Sequence, residues 1–160
     1  MKTSNRLSCF ALLTIFITLI TIGCSKDSYH NPNNISLTIS GKTLQSSSIA
    51  GTSNGTELAL DGYPVNQGDT SQVHIVLLSD IKVGQPDSFQ NSSVLYTAGD
   101  GITYSGEAIH GGHGSLTITS WDSTAKRIAG TFDGVFYNVT TGSDSLTISN
   151  GRFNSAYTTF

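Results

Sequence analysis

Two short patterns in the sequence contain residue types that can do chemistry, and the first is built around a serine. The run Gly51-Thr-Ser53-Asn-Gly55 fits the pattern Gly-x-Ser-x-Gly. Hydrolases use this pattern where a strand turns sharply into a helix and presents the serine as a nucleophile. His110 and several aspartates follow in an order that a catalytic triad could use. Residues 57–61, however, alternate as a strand does. The pattern therefore predicts a Gly- and Ser-rich hairpin loop, with a small hydrolase as the least favoured alternative.

The second pattern is a pair of histidines, His110 and His113, separated by two glycines. If Glu107 and Asp122 lie near them, two neutral imidazoles could bind a divalent metal ion. A metal site needs three or four converging ligands supported by neighbouring side chains, and glycine provides no such support. The sequence therefore predicts a glycine-rich turn, no metal and no cofactor. His110 and His113 are the candidate ligands if a metal is bound.

A third candidate site consists of aromatic side chains near the ends of predicted strands. Trp121 falls on the same strand face as Thr117 and Thr119, which predicts that its indole is exposed. With Tyr104 and Asp122 it could form a platform on which a sugar ring stacks while polar groups hydrogen-bond the hydroxyls. The alternative is that these aromatic side chains close the ends of a hydrophobic core.

These residues would be positioned by strands, because polar and apolar residues alternate from residue 35 onward. The tetrapeptide Ser-Leu-Thr-Ile occurs at 36–39, 115–118 and 145–148, and its leucine and isoleucine are expected to point inward. No segment has a convincing helical period. About eight to ten short strands separated by turns predict an all-β domain over residues 35–160. The expected fold is an antiparallel β-sandwich or a flattened barrel, and the sandwich is favoured.

Two longer segments add detail to this prediction. Val73–Leu78 is apolar on both faces except at His74, which is typical of a central strand. Arg127–Asn138 places one isoleucine and two phenylalanines on one face, with Gly130 and Gly134 between them. Glycines in such positions indicate bends or close contact with a neighbouring aromatic ring.

Charge and cysteine content exclude several classes of function. Lys2 and Arg6 precede Cys24, so the chain from Cys24 onward has six basic and eleven acidic side chains and a formal charge of −5. This negative balance argues against nucleic acid and anionic membrane surfaces as partners. The two cysteines are Cys9 and Cys24. The predicted domain therefore has no disulfide, no thiol redox chemistry and no thiolate metal site.

The N-terminal segment has the order of an export signal. Lys2 and Arg6 precede an apolar run from Cys9 to Ile22. Its fourteen residues would span roughly 21 Å as a helix, less than the roughly 30 Å hydrocarbon core of a membrane. A permanent transmembrane helix is therefore disfavoured, and residues 1–23 are predicted to be a signal peptide.

The end of this segment, Thr21-Ile-Gly23-Cys24, resembles a lipobox, in which a small residue precedes a cysteine that receives a diacylglycerol. Thr21 departs from the aliphatic residue usual at its position. We expect cleavage between Gly23 and Cys24 and lipid attachment at Cys24. Two or three acyl chains, such as palmitate, hold a protein stably because each buried methylene contributes about 0.8 kcal/mol. The alternative is an ordinary secretory signal with an incidental cysteine.

Residues 24–34 read as the lipidated cysteine and a flexible tether, because Asn, Ser and Pro dominate without apolar periodicity. Lys26-Asp27 resembles the Lys-acidic signal that sends Bacteroidetes-type lipoproteins to the outer cell surface, although it has only one acidic residue. The expected location is the cell envelope, lipid-anchored in the outer membrane, with surface exposure as a further hypothesis.

The C-terminal third resembles the closing pattern of small all-β Bacteroidetes-type lipoproteins in a domain-of-unknown-function family. The resemblance rests on Gly114–Thr119, Ile128–Phe132 and Leu146–Phe153, and it implies an all-β lipoprotein domain without a catalytic residue. It also implies a bulge at Asn150-Gly151 within one continuous strand, where physical reasoning alone equally allows a hairpin turn. Asp122-Ser-Thr and Asp144-Ser-Leu are similar to Bacteroidetes O-glycosylation sites.

Three classes of function follow as expectations. A non-enzymatic, membrane-anchored binding or accessory module is favoured, with a glycan or an envelope protein as its partner; such a module predicts a concave aromatic or apolar pocket. A structural or protein-interaction lipoprotein predicts an exposed strand edge or apolar patch instead. A hydrolase predicts Ser53 or the two histidines within hydrogen-bond reach of an acidic residue.

Overall fold

A computed structural model describes residues 33–46, 48–63 and 70–160, and these form eleven strands and one short 3₁₀ turn. The predicted signal peptide and most of the tether lie outside the described residues. The strands are β1 (Asn34–Ile39), β2 (Lys42–Ser46), β3 (Ser48–Ser53), β4 (Glu57–Tyr63), β5 (Gln72–Leu78), β6 (Pro86–Asp87), β7 (Ser92–Thr97), β8 (Thr103–Ser105), β9 (His113–Asp122), β10 (Arg127–Asn138) and β11 (Ser145–Thr159); the 3₁₀ turn is Ala108–His110. The predicted all-β class is confirmed.

The strands form two layers that are joined at both edges. One layer has the order β2-β1-β11-β10-β9-β6, and the other has the order β3-β4-β5-β7-β8. β11 crosses to the second layer by pairing with β3, and β10 does so by pairing with β8. The layers pack closely: a Cβ atom on Gly62 of β4 would lie 2.7 Å from Cγ2 of Ile35 on β1. The arrangement is therefore a β-sandwich whose pairings continue from one layer into the other.

Alternation along the strands fills the space between the layers, as the sequence predicts. Leu37, Leu116 and Ile118 of the repeated tetrapeptides are at most 2 % exposed, as is Ile148. Each fully buried leucine or isoleucine of this kind contributes about 1.5–3 kcal/mol relative to an exposed one. The inward leucines and isoleucines of all three tetrapeptides, including the partly buried Ile39 and Leu146, pack in or against a single core.

Of the two glycines predicted to bend β10 or to contact an aromatic ring, Gly130 contacts a ring, whereas Gly134 lies against the backbone of His113 and Gly114. A Cβ atom at Gly130 would lie 2.5 Å from the ring of Phe153 on β11, so only glycine leaves room for that ring. The Phe153 ring packs in turn against Phe132, with centroids 6.5 Å apart. The predicted close contact between a strand glycine and a neighbouring aromatic is therefore confirmed.

The Asn150-Gly151 dipeptide is a bulge, and β11 continues through it. The registers of β11 with both β10 and β1 shift at this point, and Asn150 has a left-handed φ of 53°. A bulge adds one residue and so changes which side chains point inward. After the bulge, Gly151 and Phe153 are the buried residues. The bulge expected from the resemblance is confirmed, and the hairpin turn is not formed.

Three features differ from the sequence prediction. Eleven strands are present in the described residues. The polar segments β2 and β3, whose large inward apolar residues are Leu44 and Ile49, form strands that pair with β1 and with β4 and β11, respectively. Pro86–Asp87 adds a short strand at one edge. The sheet is mixed, since β11 and β3 are parallel. The segment 108–110 forms a 3₁₀ turn. Polar strands and long-range pairings leave little periodic apolar signal in a sequence.

The junction between β11 and β3 gives a test of the fold. A Cβ atom at Gly51 would lie 2.7 Å from Cδ2 of Leu60 and 2.8 Å from Cβ of Tyr157. We expect Gly51→Val to lower the free energy of unfolding by about 1–3 kcal/mol through overpacking. Urea unfolding followed by the fluorescence of Trp121, the one tryptophan in the sequence, measures this change.

The matched control is Ala50→Val, because Ala50 is the exposed neighbour on the same strand. This substitution should change the free energy of unfolding by less than about 0.5 kcal/mol. Equal effects of the two substitutions would show that the junction is not tightly packed.

Candidate functional site

Tyr104, one member of the predicted platform, is a core residue. Its side chain is 9 % exposed and packs beside the Tyr96 ring with centroids 6.5 Å apart. The Tyr104 hydroxyl donates a hydrogen bond of 2.7 Å to Oδ2 of Asp144, in the loop before β11. This bond to a carboxylate, together with burial, raises the pKa of Tyr104 from 10.0 to about 12. Tyr104 therefore ties two parts of the sandwich together and presents no open ring face.

Trp121 lies on the core side of β9, because a bulge changes the face on which it points. Ser120 pairs with Ala129 but Ile118 pairs with Gly130, so Thr119 is an extra residue in β9. The shift places Trp121 opposite the buried Ile128. The indole is partly buried against the core, and its Nε1–H donates a hydrogen bond of 3.0 Å to the Tyr157 hydroxyl. The expected exposure of Trp121 is therefore corrected.

Asp122 forms the turn between β9 and β10. Its Oδ1 accepts hydrogen bonds from the backbone N–H groups of Thr124 at 2.9 Å and Ala125 at 2.7 Å. These are the bonds that an aspartate makes at the start of a turn. The structure thus gives Trp121, Tyr104 and Asp122 three separate structural roles and does not assemble them into one aromatic platform.

Ser53 has a local structural role at the end of β3. It is 9 % exposed, and its Oγ accepts a hydrogen bond of 3.2 Å from the backbone N–H of Gly55. Asn54 completes the turn into β4 by accepting bonds from the backbone N–H groups of Thr56 and Glu57. A strand follows the Gly-x-Ser-x-Gly pattern, and the helix that a nucleophile elbow requires is not what the chain forms there.

The two glycines between His110 and His113 are explained by backbone geometry. Gly111 has a left-handed φ of 87°, and a Cβ atom at Gly112 would lie 2.4 Å from the backbone of Gly106. His110 ends the 3₁₀ turn, and His113 is an exposed residue that begins β9. Within the part of the chain that the structure describes, no group of three or more His, Cys, Asp or Glu side chains could hold a metal ion.

The predicted lipid attachment site, Cys24, and the cleavage site after Gly23 lie outside the described residues. Among residues 33–46, 48–63 and 70–160, no helix is both long enough and apolar enough to cross a membrane.

An open groove lies on the outer face of the second layer. Its volume is about 380 Å³, which is near the lower end of the range of small-ligand sites. Its floor comes from β5 and β7, and the 3₁₀ turn with its preceding residue forms one wall. The residues that line this groove are Val76, Leu78, Phe89, Gln90, Ser92, Ser93, Glu107, Ala108 and Ile109.

The loop before β7 supplies the end of the groove through a constrained phenylalanine. Phe89 has a left-handed φ of 57°, a conformation that costs a non-glycine residue about 1–3 kcal/mol. Its ring is nevertheless 8 % exposed and contacts Phe136 edge-on, with centroids 5.9 Å apart. Asp87 holds the loop by accepting bonds from the Asn91 backbone N–H at 3.1 Å and the Ser92 hydroxyl at 2.5 Å. Packing and these bonds therefore fix the groove's end.

Large apolar side chains stand exposed at the groove. Ile109 is 84 % exposed at the crest of the 3₁₀ turn, and Leu78 is 37 % exposed at the end of β5. Val76 is half-buried on the same face of β5. The groove thus combines an aliphatic floor on β5 with a projecting isoleucine.

Acidic residues flank the groove on both sides. Glu107 lines the wall, and Glu57 lies directly opposite Leu78 in the register of β4 and β5. Further along the same two strands, Asp61 pairs with His74 through a 2.7 Å contact. No ion pair involves Glu57 or Glu107 in the described residues. The groove therefore presents apolar surface between unneutralised carboxylates.

Sequence reasoning does not find this groove, although one signal for it exists. Val76 and Leu78 point outward from β5. The apolar residues on both faces of Val73–Leu78 therefore indicate an exposed apolar surface in addition to a central strand. The contribution of Glu107 and Ile109 depends on how the turn folds back over β7, and no local pattern encodes that approach.

Comparisons of the chain with protein-family models, with curated proteins and with solved structures find no match. The class of protein that the fold and the groove define is an all-β domain with an apolar, acid-flanked surface groove. Function is therefore argued from the geometry of these residues.

The Tyr104–Asp144 contact predicts a loss of stability at high pH. Because the pKa of Tyr104 is about 12 in the folded chain and 10.0 is its ordinary value, the unfolded chain loses this proton first. The stabilising contribution of the Tyr104–Asp144 hydrogen bond is complete below about pH 10 and disappears as the pH rises through about 12. The free energy of unfolding should therefore fall more steeply over this interval in the wild type than in Tyr104→Phe.

Titration of tyrosine absorbance at 295 nm gives the matching direct measurement. Subtracting the Tyr104→Phe curve should leave one transition near pH 12, and Asp144→Asn should move that transition toward lower pH by removing the carboxylate charge. A difference transition near pH 10 in the wild type would contradict this assignment.

Proposed function

We propose that the protein is a non-enzymatic binding module of the cell envelope, exported by residues 1–23 and held to the outer membrane by lipid on Cys24. Its binding surface is the groove between β5, β7 and the 3₁₀ turn. We also propose that the protein is related to Bacteroidetes-type lipoproteins and that it is displayed on the cell surface. The alternative is a structural lipoprotein that contacts another protein without a small-ligand pocket.

The observation that carries the proposal is the concave apolar surface itself. A binding module was expected to have an apolar pocket, and the groove has an aliphatic floor formed by Val76 and Leu78 and a wall that contains Ile109. An exposed face of an antiparallel sheet is ordinarily polar, since only one face has to pack on the core. Apolar residues on the outer face therefore support a role in binding.

The residues considered for catalysis support a non-enzymatic function. The Ser53 hydroxyl accepts a bond within its own turn. Between His110 and His113, Gly111 is required by a left-handed φ and Gly112 by close approach to the backbone of Gly106. These structural roles account for both patterns without a reaction, which leaves the hydrolase as the least favoured function.

The anchor is tested by the intact mass of the protein purified from membranes. The wild type should have the mass of the chain from Cys24 plus its acyl groups, because a lipobox cysteine is modified and becomes the first residue. In Cys24→Ala the acyl mass should be lost. An unlipidated wild-type mass, with the protein free in the periplasm or medium, would overturn the anchor.

The groove is tested with 3-methylbutan-1-ol, a soluble neutral analogue of the leucine side chain. Saturation-transfer NMR on the full-length protein in phosphatidylcholine nanodiscs, with empty nanodiscs as the blank, reports its binding. Val76→Gln should weaken the signal several-fold because it places an amide on the groove floor.

Val135→Gln is the matched control, since Val135 is an outward, half-buried valine on β10. It should leave the signal unchanged, and urea unfolding verifies that both variants fold. Equal signals from the wild type and both variants would show that the groove does not bind apolar groups.

A further inference from the structure

We propose that the groove binds an extended segment of a partner polypeptide in which one apolar side chain lies between two basic side chains, two residues to either side. This inference rests on the proposed binding function and adds the chemistry of the ligand. The features that carry it are the exposed Ile109, the apolar floor of β5 and the carboxylates of Glu57 and Glu107.

The projecting isoleucine favours a macromolecular partner over a small ligand. A small ligand in the groove would cover only the side of Ile109 that lines it and would leave the rest of this side chain in water. Ile109 is 84 % exposed, and its side chain can lose that exposure only against a surface that extends beyond the groove. Exposed apolar side chains beside a groove are typical of protein-binding sites.

The two carboxylates beside the groove favour a partner segment with positive charge. The outer face formed by β4, β5, β7 and β8, together with residues 106–112, contains no Lys or Arg, whereas Glu57 and Glu107 stand on opposite sides of Leu78 and Val76. A basic side chain placed beside each carboxylate would be attracted to it.

The spacing of the charges follows from the sheet. Glu57 begins β4 and Glu107 follows the end of β8, with β5 and β7 between these two strands. The two residues are therefore about three strand spacings apart across the sheet, or roughly 14 Å. In an extended peptide, residues i, i+2 and i+4 point to the same side, and i and i+4 are also roughly 14 Å apart. A basic-x-apolar-x-basic segment lying across the strands therefore matches both carboxylates and the floor.

Two other occupants fit the groove less well. A glycan needs open aromatic faces for stacking, and the aromatic ring in the groove, that of Phe89, is 8 % exposed. A second copy of this chain would bring Glu57 and Glu107 near their own equivalents across a two-fold axis, where like charges repel.

The test compares three peptides with blocked ends, titrated by calorimetry into the full-length protein in phosphatidylcholine nanodiscs. The first is Ser-Lys-Ser-Leu-Ser-Lys-Ser, the second has glutamine in place of both lysines, and the third, Ser-Lys-Lys-Leu-Ser-Ser-Ser, keeps the composition of the first but not its spacing. We expect the first peptide to bind at least tenfold more tightly than the other two, and the advantage should shrink as salt is added.

Variants locate the effect in the groove. Glu57→Gln combined with Glu107→Gln should remove the tenfold preference, while Asp133→Asn, which neutralises an exposed carboxylate on β10, should keep it. Ile109→Ser should weaken the binding of the first and second peptides by the same factor, because it removes the apolar contact that both peptides make. Its high exposure makes a folding defect unexpected, and urea unfolding checks this.

Each remaining outcome overturns the inference in a distinguishable way. If 3-methylbutan-1-ol binds the groove but the three peptides bind equally, the groove is a binding site and its ligand is not a cationic segment. If the alcohol also fails to bind, the proposed binding function fails as well. Concentration-dependent dimers in sedimentation that Ile109→Ser abolishes would assign the groove to a second copy.

Discussion

Backbone pairing along β11 is the interaction on which the rest of the structure depends. This strand pairs with β10 along most of its length, with β1 on its other side, and with β3 through Tyr157–Thr159. It therefore belongs to one layer at its start and joins the other layer at its end. Without its last residues β3 would expose an unpaired edge, which favours association with other chains. Gly51 permits the junction because its missing side chain leaves space for Leu60 and Tyr157.

Two bulges reset the alternation of inward and outward side chains along long strands. The extra residue at Asn150 resets the alternation of β11 so that Gly151 and Phe153 point inward. The extra residue at Thr119 does the same in β9 and turns Trp121 toward Tyr157. Strict alternation along a strand assigns every residue after a bulge to the wrong face. The predicted exposure of Trp121 is lost for this physical reason.

The sequence predicts those features of the fold that local alternation determines. The strands that contain Ser-Leu-Thr-Ile, the strand Arg127–Asn138 and the contact of Gly130 with a ring all follow from spacing within one segment. The parallel junction of β11 with β3 does not, because it joins residues about a hundred positions apart in the chain. The groove combines residues of β5, a loop and a 3₁₀ turn, so its existence depends on tertiary approach rather than on a motif.

Position 109 distinguishes what the fold requires of this turn from what binding would require. The path of the segment 106–112 is set by glycines: Gly106 and Gly112 approach each other's backbone, and Gly111 takes a left-handed conformation. A polar residue at position 109 would satisfy the same backbone path, because the side chain makes little contact and is 84 % exposed. The turn therefore does not require isoleucine. An exposed isoleucine beside Leu78 and Val76 leaves apolar surface in water, and binding a partner removes that surface from water.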